Sequence, residues 1–494
     1  MKSNKNAIRL LLMLLTAGIL ISCFAACKKP VAQPDVTSSV VTADDATSAP
    51  EVETESPFLF DQTFWDEDFY FLRPANQYKN FYFTDVGSDD PDIITTQLYL
   101  RDALVEEYLG VTVHSRTKDN LSETELVTEI RNQNLLKMFD FDAALTHNYL
   151  GITTMVSEGL LSDFYAMEDI DLEAPWWNID VVKTLEVKGK AYFALNDFMI
   201  NNTCAVFFNK GMMQQFNINE DLYELVRDGK WTIDKMFELT KLVSVENGDG
   251  VWDKFDTYGL GMYADWYPLQ LVDSCNVQWL TPGPGFRALT MSARNARYVS
   301  VYEKIKEIAN AESTYMWNYG DSENRVKITD GRFLFTFAPV RESYTYPASN
   351  VSFGFLPYPK YDVEQEEYYS TEWSGMLCVP KEVKNDRMVA QTLDCLAAFS
   401  TTTVRPAYYE RLLGKRIAEE YDDAEMIEKY IFGNIVLNPA ITYETKANEP
   451  LGILVYTIAK MLRYTLNKTY TPDIAENWES YGGLAQEQID LYLN

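Results

Sequence analysis

Ten Trp, 32 Tyr and 26 Phe stand beside 73 Asp and Glu in this 494-residue chain, and these residue types together suit one kind of chemistry. Flat rings can cover the apolar faces of a sugar ring at little rotamer cost, while planar polar side chains fix its hydroxyls. Most of the rings must nevertheless be core, so position decides. Asp89 and Asp90 sit in a Gly-Ser-Asp-Asp-Pro turn after the aromatic-rich stretch Asn80–Val86. That is the carboxyl end of an expected strand, where open α/β sheets bind ligands; a helix-capping turn is the competing reading. Thr146-His147-Asn148-Tyr149 follows a second expected strand, Asp142–Leu145, at the same edge. His147 is one of only two histidines, the other being His114, and a satisfied surface imidazole competes with a ligand contact there. An extracellular glycan hydrolase with paired carboxylates is the alternative class. Carboxylates this numerous discriminate nothing, and there is no H-E-x-x-H, G-x-S-x-G or P-loop. No cofactor and no metal are expected. Cys204, Cys275, Cys378 and Cys395 form no C-x-x-C pair and read as buried free thiols, with a disulfide still open.

Alternating strands and helices must position these groups. Residues 79–115 read as a βαβ unit: the strand Asn80–Val86, then a helix capped by Asp92 and ended by Gly110, with Ile94, Leu98, Val105 and Leu109 on one face. Val111 and Val113 alternate in the strand that follows. A second helix is expected over Glu123–Met138. Thr232 and Asn385 precede apolar helical patterns as N-caps. The alternation points to a parallel sheet flanked by helices.

The ends and the composition say where the chain works. Lys2, Lys5 and Arg9 precede an apolar run, Leu10–Ile21, and then Ser22-Cys23-Phe24-Ala25-Ala26-Cys27. This is a secretory signal too short for a mature membrane span. Small residues before Cys fit a bacterial lipobox, so residues 1–26 read as a lipoprotein signal and Cys27 as the acylated N-terminus, with Cys23 as the alternative. Residues 27–57, rich in Pro, Ser, Thr and acids, read as a disordered tether. The expected location is the extracellular face of the cell membrane, through the lipid anchor. The formal charge is −30, and removing residues 1–26 takes away three cations and no acid, leaving −33. Such a charge repels nucleic acid and anionic surfaces. A body of about 440 residues is expected to form two lobes.

A series of short motifs then resembles a known family. They run Glu158-Gly159-Leu160-Leu161-Ser162-Asp163, Ala174-Pro175-Trp176-Trp177-Asn178, Val187-Lys188-Gly189-Lys190, Val206-Phe207-Phe208-Asn209-Lys210, Asp228-Gly229-Lys230-Trp231-Thr232, Asp330-Gly331-Arg332-Phe333, Phe355-Leu356-Pro357-Tyr358-Pro359-Lys360 and Pro406-Ala407-Tyr408-Tyr409-Glu410. The series resembles family 1 extracellular solute-binding proteins of ABC importers, in the lipoprotein branch of Gram-positive bacteria. The resemblance implies a two-lobed α/β fold of the type II periplasmic-binding-protein kind, with the ligand cleft between the lobes and closure by hinge motion. It implies lobe one over 58–197 plus 357–400 and lobe two over 198–356 plus 401–494. It implies a carbohydrate solute and a membrane permease as partners, and no covalent chemistry; the same fold binding a peptide, an amino acid or an organic anion is the other alternative.

The same resemblance nominates ligand contacts. Asp197 lies at the first crossing, beside Asn196. Trp266 lies where the second lobe offers aromatics, and Arg341 follows a buried strand at the cleft. Trp373 precedes the strand Met376–Pro380, where the family places a stacking ring. With Asp90, His147 and Asn148 these complete the expected site. Trp176 and Trp177 are expected to pack the lobe surface instead. Relatives carry a calcium loop near Asn247-Gly248-Asp249-Gly250, but Val245 offers no side-chain oxygen at its first position, so an Asx-type turn is expected here.

Overall fold

The computed structural model describes residues 63–64, 66–74, 93–116, 122–147, 151–199, 203–264, 267–281, 285–288, 296–318, 328–345, 351–372, 375–413, 421–443, 449–457, 460–461 and 474–494. Two sheets organise them. The first is built on β1 (Glu67–Leu72), which pairs in parallel with β2 (Val111–Arg116) on one side and β3 (Ala143–His147) on the other. The strand expected at Asn80–Val86 lies outside the described residues, and the strand that enters the sheet before the first helix is Glu67–Leu72. Its acidic start hid it. Only Phe69, Phe71 and Leu72 are fully buried.

Helix α1 (Ile93–Leu109) covers this sheet with Ile94, Leu98, Val105 and Leu109, the face the sequence predicts. Gly110, at φ 72°, supplies the left-handed turn that ends it and starts β2. Helix α2 (Glu123–Leu136) opens on a capping box, in which the Ser122 hydroxyl accepts from the Glu125 amide and the Glu125 carboxylate accepts from the Ser122 amide. In the second sheet, the order is Phe353–Leu356, β4 (Cys204–Asn209), Phe333–Pro339, Thr257–Tyr263 and Ser244–Val245, with Thr314–Trp317 also on the Thr257–Tyr263 strand.

Helix α3 (Ile233–Thr240) packs on that sheet, its N-terminus capped by the Thr232 hydroxyl as expected. Gly259 lets the helix approach, and Gly261 makes room for a ring on the neighbouring strand. A Cβ on Gly259 would fall 2.0 Å from the Thr240 carbonyl, and one on Gly261 would fall 2.4 Å from the Phe333 ring. Trp231, fully buried, donates its indole N–H to the Pro357 carbonyl at 2.9 Å. Lys360 and Ile233 are joined through their backbones at 2.8 Å, and Ser274 donates to the Pro359 carbonyl at 3.0 Å. Residues 357–365 therefore run along the flank of the second sheet.

Further elements pack around the sheets. Helix α4 (Tyr267–Ser274) touches the short parallel ribbon of β5 (Ser370–Thr371) with β7 (Ile435–Val436). The chain re-enters the first sheet as β6 (Gly375–Cys378), antiparallel to β3. Helices α5 (Asp386–Thr402) and α6 (Val404–Leu413) then pack on α1. The Asn385 side chain caps α5 as expected, accepting from the Met388 amide. Among the described residues no helix is long and apolar enough to cross a membrane.

Trp231 anchors the returning segment by both burial and a hydrogen bond. Trp231→Ala is expected to lower unfolding free energy by roughly 3–5 kcal/mol in a denaturant titration. The half-exposed Trp252, truncated in the same way, is expected to cost less than about 1 kcal/mol.

Candidate ligand-binding cavity

The first-sheet edge continues past β6 through backbone pairing alone. Ala194 and Leu377 exchange hydrogen bonds at 3.0 Å, and the next strip, Trp176–Asn178, pairs with Leu195–Asp197 through the Trp177 and Asn196 bridge. Because Leu377 faces Leu145 and Gly375 faces His147, Asn196 and Asp197 emerge at the carboxyl end of β3. This is the edge where a parallel sheet presents its side chains to a ligand.

A cavity of about 400 Å³ opens there, in the size range of small-molecule sites. Trp177, Asn178, Asn196 and Asp197 form one wall, Tyr369 and Asn434 to Val436 another, and Arg405 and Phe432 close it. Its polar centre is an ion pair. Arg405 Nη1 donates to both Asp197 oxygens, at 3.0 and 2.8 Å, and Thr401 adds a hydroxyl at 2.8 Å. Arg405 Nε donates to the Tyr409 hydroxyl at 2.9 Å. Burial pushes the Asp197 carboxyl above its ordinary value, and Arg405 and Thr401 pull against that shift. Asn196 is 4 % exposed; its Oδ1 accepts from the Phe198 amide, and its buried Nδ2 has no hydrogen-bond partner among the described residues. A buried amide donor left unpaired costs free energy, which a hydroxyl in the cavity would recover.

Of the sequence candidates, Asp197 lines this cavity. His147 ends β3 opposite Gly375 and is buried rather than the surface imidazole of the competing reading. Arg341 is half-buried in the turn Val340–Thr345, beside a different polar group at the start of β4. There Thr203 donates to the buried Glu372 at 2.6 Å, and the charges of Glu372, Glu342 and Arg341 all reach the Cys204 thiol. Asp90, Asn148, Trp266 and Trp373, with Cys23 and Cys27, lie outside the described residues.

Sequence reasoning missed Arg405, Tyr369 and Asn434, which arrive from segments distant in the chain. It also misplaced Trp177. Instead of packing a lobe surface, Trp177 is buried, lines the cavity and, like Trp176, donates its indole N–H to Asp394 at 2.7 Å. The Asn247–Asp256 loop is an Asx-type turn as expected. Its carboxylates are spent on backbone amides: Asp256 accepts from Asn247 and Asp253, and Asp249 accepts from Val251. Among the described residues no group of three His, Cys, Asp or Glu side chains is placed to hold a metal ion. The four body cysteines are free and buried, and burial pushes the Cys275 and Cys378 thiols up to about 12.

Behind the ribbon of β5 and β7 lies a smaller cavity of about 130 Å³, whose wall includes Asp273, Asn276 and Asn438. Tyr369 and Val436 face both cavities. Asp273 accepts from Asn438 at 2.6 Å and Thr371 at 3.1 Å, tying α4 to the ribbon. Burial, opposed by those two bonds, pushes its carboxyl from 3.8 to about 7. The folded state thus holds this proton more tightly than the unfolded chain does. Stability from Asp273 is then greatest in acid and declines as pH rises toward about 7. Asp273→Asn is expected to raise unfolding free energy at about pH 8 by on the order of 1–3 kcal/mol, with the gain shrinking toward about pH 4. Thermal melts across that range measure the slope, and a gain independent of pH would contradict the assignment.

No protein-family profile matches the chain, and no curated protein sequence does either. Solved structures do. The cyclic α-maltosyl-1,6-maltose-binding protein of Arthrobacter globiformis superposes with a TM-score of 0.56 at 12% identity, over 85% of this chain and 98% of that one. The galacto-N-biose/lacto-N-biose I-binding protein of a Bifidobacterium longum ABC transporter gives 0.54 at 12% identity, over 86% and 98%. An ABC substrate-binding protein of Listeria monocytogenes, in complex with cycloalternan, gives 0.52 at 11% identity, over 86% and 100%. The likeness shows the two-lobed α/β solute-binding fold, as the sequence motifs imply.

Proposed function

We propose that this chain captures a neutral carbohydrate and delivers it to the permease of an ABC importer, working as a lipid-anchored protein on the extracellular face of the cell membrane. The observation that carries this reading is the cavity at the carboxyl end of β3. It pairs a neutralised Asp197–Arg405 couple and the unpaired Asn196 amide with the rings of Trp177, Tyr369 and Phe432. With the exposed Asp180 also in the lining, the set offers donors, acceptors and apolar faces with one net negative charge, which suits hydroxyls and disfavours a carboxylate or phosphate. Two of the structural relatives named above are saccharide-binding proteins and the third is in complex with cycloalternan, and their fold is the one found here.

Function in this reading is binding and motion. The lobes are 58–197 plus 357–400 and 198–356 plus 401–494, except that 357–365 lies along the second sheet and α6 packs on α1 beside the first; Trp373, Trp266, Arg341, Asp90, His147 and Asn148 belong to the same ligand in this reading. Contacts made only when the lobes close are those that drive closure. The acyl chain on Cys27, or on Cys23, retains the protein beside its permease.

A thermal-shift screen of the full-length protein tests this, using neutral mono- and oligosaccharides, amino acids and peptides. A saccharide at a hundredfold excess over its dissociation constant is expected to stabilise by about 2.7 kcal/mol and to be recovered uncleaved. A shift with peptides or amino acids alone would overturn the carbohydrate assignment, and cleaved sugar would put the hydrolase in its place. With a sugar in hand, Trp373→Ala is expected to lose about 1–3 kcal/mol of affinity, measured by calorimetry. Unchanged affinity in that folded variant would remove Trp373 from the site.

A further inference from the structure

Asp394 lies on α5, outside the lining of the cavity, yet one of its oxygens accepts both neighbouring indole N–H groups, from Trp176 and from Trp177, at 2.7 Å each. It is buried, and among the described residues it has no ion-pair partner. The groups that face it are the two indoles and the Asp171 carboxylate from the preceding turn. On its own helix Arg387 is engaged by Asp169, which also accepts from Gln391. A buried carboxylate without a cation is costly. Its hydrogen bonds are what it contributes.

Those bonds reach the site in one step. Trp177 and Asn178 form the cavity wall, while the backbone of their strip is paired to Leu195 and Asp197. The same pair of helices, α5 and α6, carries Thr401 and Arg405 to Asp197. We propose that Asp394 is a positioning residue for the binding cavity, holding the Trp176–Asn178 strip so that the Trp177 ring keeps a fixed place opposite Arg405. This rests on the reading of the cavity as the solute site. Burial, against the two indole bonds, pushes the Asp394 carboxyl up to about 6. Protonation in mild acid removes the charge from both hydrogen bonds and weakens their hold on the wall.

The test uses the indole ¹⁵N–¹H signals of the full-length protein, with Trp176→Phe and Trp177→Phe to identify the two resonances. In the unmodified chain both signals are expected to move together between about pH 5 and 7. They should lie still in Asp394→Asn, which keeps an acceptor oxygen without the charge. Asp394→Leu should shift both signals and speed their exchange with solvent. Signals that do not titrate in the unmodified chain, or that still titrate in Asp394→Asn, would overturn the proposal; these two measurements decide it even if the Leu variant fails to fold. Maltotetraose and lacto-N-biose serve as binding probes. Asp394→Leu should weaken whichever sugar binds by on the order of tenfold, and Asp394→Asn by far less. Full affinity in a folded Leu variant would also overturn it. If neither sugar binds the unmodified chain, the functional reading is what suffers, while the indole signals still settle whether Asp394 holds the wall.

Discussion

Asp197 can stay ionised inside this protein only because Arg405 and Thr401 reach it from a helix pair more than two hundred residues away in the chain. Removing either charge would strand the other in a partly desolvated place. The pairing fixes where α5 and α6 sit relative to the first-sheet edge. That edge in turn is set by two successive backbone pairings, Ala194 with Leu377 and Trp177 with Asn196. Everything on the cavity's near wall follows from that geometry.

The far wall is governed by burial of a different carboxylate. Asp273 gathers Asn438 and Thr371 onto α4 and so holds the β5–β7 ribbon, whose Tyr369 and Val436 look into both cavities. Asp394 does the corresponding work for the Trp176–Asn178 strip. The half-buried Asp197, neutralised by a guanidinium, and the buried Asp273 and Asp394, satisfied by neutral donors, therefore shape a site whose lining keeps one net negative charge, from the exposed Asp180. A chain at −30 overall can thus present a nearly neutral pocket, because most of its surplus carboxylates lie elsewhere.

Much of the scaffold was legible in the sequence, since local signals specify local structure. The apolar face of α1, its stop at Gly110, and the caps at Thr232 and Asn385 each need only a few neighbouring residues. The first strand was not legible, because Glu67-Asp68 disguises a segment whose buried residues are only Phe69, Phe71 and Leu72. The motif series also carried the two-lobed fold correctly. The site was legible in part. Asp197 could be marked from its place at a crossing, but Arg405 sits in an ordinary helical context and only tertiary packing makes it the partner. Trp177 looked like surface packing because nothing local to it announces Asp394, 217 residues further on.

The central claim is that solute binding draws the two lobes together around the cavity. It is tested most directly by measuring the distance between spin labels at Thr128 on α2 and Glu303 in the helix Ala296–Ala309, both exposed and one beside each sheet. The four buried body cysteines should leave the introduced thiols as the reactive ones. Adding a saccharide that binds should replace a broad or long distance distribution with a shorter, narrower one. An unchanged distribution at saturation would contradict capture by closure.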